Sequence, residues 1–100
     1  MAVTLTAADL ATAIRVGPSA EEQAQVDRLL ATATALVIRH APGAPSTIHN
    51  ECCIRVSGHL FDQPQAARSA GYADVLRNSG ALALMAPWRV HRAGVAEDEA

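Results

Sequence analysis

A chain of 100 residues with a formal net charge of −2 allows one domain around one modest core. It lacks the basic excess with which a free-standing nucleic-acid binder neutralises phosphate. Half of the residues are apolar but only three are aromatic, and a core of Ala, Leu, Val and Ile suits closely packed helices rather than a β-sandwich. No apolar run approaches the roughly 20 residues that span a bilayer, and Met1-Ala2-Val3-Thr4 lacks the charged start and apolar stretch of a secretory signal.

A product made in the cytoplasm is therefore expected, with Cys52 and Cys53 reduced. Adjacent cysteines also rarely bridge each other, because the ring strains the backbone. All eight cations are arginine. A core this small gives limited stability, so oligomerisation or docking on a partner would add to it.

The first element opens at Thr6. Thr6-Ala7-Ala8-Asp9 has an N-cap hydroxyl and a carboxylate in the first turn, and Leu10 and Ile14 share a face. Gly17-Pro18 ends the segment, so the spacing predicts a short helix over residues 6–15. Ser19-Ala20-Glu21-Glu22 then forms a capping box. Val26, Leu29, Leu30, Ala33, Leu36 and Val37 repeat at steps of three and four, which predicts one long helix to His40. Ala41-Pro42-Gly43-Ala44-Pro45 breaks it.

A third helix is expected from Ser46 to about Phe61. Ile48, Cys52, Val56 and Leu60 step along one face, and Glu51 and Arg55 are spaced for a surface ion pair. Gly58 inside it costs about 1 kcal/mol against alanine, which suggests close approach of another backbone. Residues 62–71 form a polar loop. Tyr72 to Arg77 predicts one or two helical turns, and Asn78 is the expected cap of a last helix through Met85, stopped by Pro87. Trp88-Arg89-Val90-His91-Arg92 follows as an extended basic segment. The expectation is an all-α bundle of about four helices over residues 1–94 with an extended C-terminal segment, followed by an acidic, disordered tail over residues 95–100.

Several constellations invite chemistry. His49 and Cys53 stand four apart, a real metal-ligand spacing on a helix. Cys52 and Cys53, however, point about 100° apart, and no second CxxC or HxxxH pair completes a site. Buried cysteine also packs as a small hydrophobe. Cys53 with His49 or His59, or Ser57 or Ser79 with a histidine, lacks any nucleophile elbow or oxyanion-hole pattern. No Gly-rich phosphate loop or dinucleotide fingerprint is present. The expectation is no enzyme, no metal and no cofactor.

The first two helices imitate a helix-turn-helix, but a second helix that starts Glu21-Glu22 repels phosphate. Trp88, Arg89 and Arg92 are of the types enriched in binding hot spots. They are the expected protein-interface residues, the alternative being that Trp88 caps the core.

These stretches, taken in order, resemble the tailed-phage head–tail connector proteins, or neck adaptors, with relatives in gene transfer agents. The resemblance lies in four stretches: Thr6-Ala7-Ala8-Asp9-Leu10; Asn50-Glu51-Cys52-Cys53-Ile54-Arg55-Val56-Ser57-Gly58-His59-Leu60 against the family's Asn-Glu-x-x-Ile-Arg-x-x-Gly-x-Leu; Leu76-Arg77-Asn78-Ser79-Gly80-Ala81; and Ala86-Pro87-Trp88-Arg89. It covers about residues 4–94. The Cys52-Cys53 pair departs from the small apolar residues expected there, and the acidic tail is a second departure.

The resemblance implies a homo-oligomeric ring, dodecameric in the particle, that sits beneath the portal protein in the virion neck. Such a ring extends the DNA channel and carries the next neck protein, the stopper or a tail protein. DNA passes through the lumen without sequence-specific binding, for which a slightly negative chain is suited. Glu21 and Glu22 are the expected channel-facing residues. The competing class is a small helical regulatory or antitoxin-like interaction module. It accounts for the composition but not for the ordered match.

Overall fold

The computed structural model describes residues 3–17, 19–63 and 71–88, and among these the chain is all-α. Five helices follow in order: α1 (Ala7–Ala13), α2 (Ala20–His40), α3 (Ser46–Asp62), α4 (Tyr72–Asn78) and α5 (Ala81–Met85). A 3₁₀ turn, Ala86–Trp88, continues from α5. Residues 72–85 form two short helices on either side of Ser79-Gly80, the interruption expected there, which brings the helices among the described residues to five.

The start of α1 follows from its cap. Thr6 Oγ1 accepts the Asp9 N–H at 3.1 Å while Asp9 Oδ2 accepts the Thr6 N–H at 3.4 Å, so each satisfies a donor of the other. The helix ends two residues earlier than expected. Val16 N–H donates to Ala11 O at 2.9 Å and Arg15 N–H to Thr12 O at 3.3 Å, the paired bonds of a Schellman ending. Arg15 takes the left-handed position with φ 61°, so an arginine and not Gly17 turns the chain.

Gly17 serves the next helix. Its N–H donates to Glu22 Oε2 at 3.1 Å, and a Cβ built on it would lie 2.9 Å from both carboxylate oxygens. Ser19 Oγ accepts the Glu22 N–H and donates to Glu22 Oε1 at 2.6 Å. The Glu22 carboxylate thus reaches past the cap to the residue two before it, which fixes where α2 starts. Along α2, Val26, Ala33 and Val37 are fully buried, and Leu29, Leu30 and Leu36 pack partly buried beside them. This is the predicted stripe.

At the turn from α2 to α3, Ala41 and Ala44 are buried and His49 is wholly enclosed. His49 Nε2 lies 2.6 Å from the Ala41 carbonyl oxygen. A carbonyl only accepts, so Nε2 carries the proton and donates. One side chain therefore pins the first residue of the turn onto the first turns of α3.

α3 is the central element. It packs along α2 on one side and against α4 and α5 on the other, and His49, Cys52, Cys53, Val56, Ser57 and Leu60 are all buried. The larger core cluster joins α2, α3, α4 and α5 and includes Val37, Cys52, Val56, Val75 and Met85. The smaller one joins α1 and α2 through Leu10, Ala11 and Val26, with Ile54 of α3 packed against it. Each fully buried large aliphatic chain contributes about 1.5–3 kcal/mol relative to exposure.

Gly58 does not admit another backbone. The nearest atom to a Cβ placed there is Ile14 Cγ2 at 3.7 Å, ordinary contact with a side chain.

Asn78 ends α4 rather than capping α5. Gly80 is the residue before α5, with φ 86°, and Ser79 Oγ takes the Ala81 N–H at 3.4 Å. α5 ends at Met85, before Pro87 as expected, but Trp88 does not open an extended segment: it closes the 3₁₀ turn that holds Pro87. Most of the polar loop, the basic segment after Trp88, the acidic tail and the boundary at residues 94 and 95 lie outside the described residues.

Two substitutions test these local readings by thermal or urea unfolding. A non-glycine residue in the left-handed region costs about 1–2 kcal/mol, and glycine returns roughly 0.5–1 kcal/mol as lost chain entropy. Arg15→Gly should therefore stabilise the chain by about 0.5–1 kcal/mol; a loss would mean that the arginine side chain holds the turn. Ser57 is fully buried and its hydroxyl has no hydrogen-bond partner. Ser57→Ala removes that unmet donor and should be neutral or stabilising by about 1 kcal/mol. A clear destabilisation would show that the hydroxyl is satisfied.

Candidate interaction surfaces

The residues that invited catalytic or metal readings are occupied by packing. His49 gives its Nε2–H to Ala41, and its Nδ1 is buried without a partner. Cys53 Sγ lies 4.0 Å from Thr34 Oγ1 of α2, and Cys52 Sγ points at the Ala81 carbonyl at 3.7 Å. Both thiols are free and fully buried, and burial pushes the Cys52 thiol up to about 11 and raises that of Cys53. The described residues contain no group of three or more His, Cys, Asp or Glu side chains that could hold a metal ion. None of the helices described is long and apolar enough to cross a membrane.

The two glutamates at the start of α2 part company. Glu21 is exposed on the first turn. Glu22 is half-buried, and its carboxyl is held below the usual carboxylate range, first by the Ser19 hydroxyl and then by the Gly17 N–H. Its charge belongs to the turn between α1 and α2, leaving Glu21 as the outward acid.

Trp88 is 36% exposed, and with Tyr72 it is one of the exposed large hydrophobic side chains. Arg89 and Arg92, its expected companions at an interface, lie outside the described residues. Trp88 is thus partly covered and partly open, whereas Met85, three residues earlier, is fully buried.

Asn50 and Arg55 do work that local sequence does not reveal. Asn50 Oδ1 accepts the Thr4 N–H at 2.9 Å and the Leu5 N–H at 3.2 Å, and Asn50 Nδ2 donates to Thr4 Oγ1 at 2.8 Å. The segment before α1 is thereby fastened to the middle of the chain. Arg55 donates from Nε to Glu51 Oε2 at 3.2 Å, an exposed pair worth tenths of a kcal/mol. Its guanidinium also covers the turn between α4 and α5, with Nη1 3.0 Å from where a Cβ on Gly80 would stand.

Beside this contact runs an open groove of about 390 Å³, bounded by the end of α1, the second half of α3 and the α4–α5 turn. Gly58 lies along it, Ile14, Ile54 and Phe61 add apolar surface to a lining that is more polar than apolar, and Arg55, Asp62 and Asn78 supply polar groups. His59 and Ser79 also border it. These come from three separated stretches of sequence, so no local pattern announces the groove.

No protein-family model matches the chain, and neither a curated protein nor a solved structure matches it significantly.

The buried thiols carry a prediction. Cys52 and Cys53 should react with an aromatic disulfide reagent only as fast as the chain opens, and both should react at once in urea. The folded Cys52 pKa lies above the unfolded one, so the stability tied to its protonated form is intact below about pH 9 and is lost as pH rises through about 11. Urea midpoints falling across that window, and less so in Cys52→Ala, are expected. Rapid labelling of the native chain at neutral pH would show that the thiols are reachable.

Proposed function

We propose that the chain is a head–tail connector of a tailed phage or phage-like particle, assembled as a ring below the portal. The observation that carries this reading is the convergence on α3 of the stretches that resemble the connector family. Asn50, from the Asn-Glu-x-x-Ile-Arg-x-x-Gly stretch, grips Thr4 and Leu5 just before the Thr-Ala-Ala-Asp opening. Arg55, from the same stretch, covers Gly80 of the Leu-Arg-Asn-Ser-Gly-Ala stretch, and Gly58 faces Ile14 of α1. The second stretch thus touches the segments that flank the first and the glycine of the third, an arrangement that supports reading them together.

The surfaces suit the role. A head-to-tail ring needs two different patches on one protomer. Exposed Trp88 offers one and the groove between α1, α3 and α4 another. Glu21, exposed at the start of α2, is the acid available to a DNA channel, where a negative wall lets the duplex slide without being gripped. The protein's place is then the neck of the particle, with the portal above and the next neck protein below.

Native mass spectrometry of the full chain, alone and mixed with the portal protein of the same genome, is the test. A ring, or stoichiometric addition of many copies to the portal, is expected. A monomer or dimer that ignores the portal would sink the proposal and favour a regulatory interaction module.

A further inference from the structure

We infer that the groove between α1, α3 and the α4–α5 turn is the receptor for Trp88 of a second copy of this chain, so that tryptophan-into-groove is the repeating contact of the assembly. This rests on the ring reading and supplies the residues on each side of its subunit contact.

The first argument is placement. The groove is bordered by Asn78 and Ser79, immediately before α5. From Ala81 the chain runs through five α-helical and three 3₁₀ residues to Trp88. None of residues 81–88 lines the groove. The tryptophan is therefore displaced along α5 from its own groove, and two such patches on one protomer make a heterologous, repeating contact, not a self-complementary one.

Complementarity is the second. Ile14, Ile54 and Phe61 offer apolar surface to an indole, and Gly58 leaves room between them, since a Cβ there would meet nothing closer than Ile14 Cγ2 at 3.7 Å. Asn78 is exposed at the rim and offers an acceptor for the indole N–H. Asp62 is exposed at the end of α3 and makes no ion pair among the described residues. The residues that follow Trp88 are Arg89, Val90, His91 and Arg92. Arg55 also lines the groove but is paired with Glu51, which leaves Asp62 as the unpaired charge there, opposite in sign to the two arginines that follow the anchor in the sequence; aromatic and arginine anchors in a pocket are the usual carriers of interface energy.

The test uses two variants of the full chain. Trp88→Ala removes the anchor and keeps the groove; Gly58→Leu fills the groove and keeps the anchor, and should not unfold the helix because glycine is the poorer helix former. Circular dichroism checks that both are folded. Native mass spectrometry then follows association at high concentration and on the portal.

Each variant alone should associate at least tenfold more weakly than the unmodified chain. Mixed together they should form one-to-one heterodimers and stop, because one good anchor and one good groove remain per pair. Trp88 is the chain's sole tryptophan, so its emission should shift to the blue when the unmodified chain assembles and stay put in Gly58→Leu. Variants that assemble like the unmodified chain, or a mixture that stays monomeric, overturn this contact while leaving the ring reading standing. An unmodified chain that never associates, with or without the portal, overturns both.

Discussion

The structure depends on enclosing α3 on most of its circumference by a chain with few large side chains. Six of its residues are buried, and they include a histidine, two cysteines and a serine. A helix buried on so many sides must satisfy or conceal its polar groups, because an unmet polar group in a dry interior costs a large share of a small domain's stability. His49 meets the requirement at Nε2, by donating to Ala41, but not at Nδ1, and Asn50 meets it by taking two backbone N–H groups. The cysteines meet it by serving as small, weakly polar packing groups. Ser57 does not meet it.

The same enclosure withdraws the reactive-looking residues His49, Cys52, Cys53 and Ser57 from solvent. His49 and Cys53 have a ligand's spacing, but the histidine proton is directed at a carbonyl and the thiol at a threonine hydroxyl. Alanine and glycine allow the close packing that buries them. What remains exposed is instead suited to contact with other molecules: an indole at one end of α5 and a groove at the other.

Where the sequence alone was enough, the signal was local. The cap at Thr6, the cap at Ser19, the stripe along α2 and the Glu51–Arg55 pair all depend on residues a few positions apart. It was insufficient where the deciding partner was distant or where two local rules competed. Gly17-Pro18 looked like the terminator of α1, yet Arg15 takes the left-handed turn and Gly17 is needed by Glu22. Asn78 had the chemistry of a cap, but Gly80 and Ser79 stand nearer the start of α5. Gly58 suggested a touching backbone and instead faces the Ile14 side chain beside a groove. Trp88 was singled out by residue type alone and is partly exposed; the groove joins residues 13 to 79 and leaves no periodic trace.

The division of the core into two unequal clusters bears on how the molecule breathes. Among the described residues the smaller cluster has three fully or nearly buried members, Leu10, Ala11 and Val26, against twelve in the larger. α1 is one of the shortest helices and ends in a strained turn. Opening of a native protein begins where few buried contacts must be given up, so α1 is the part that lifts first. Because Asn50 holds Thr4 and Leu5, the segment is tethered at its start while its end comes free. Amide exchange would register this as a gradient within one short helix, with Ile14 and the wall it gives the groove the least protected and the most adaptable.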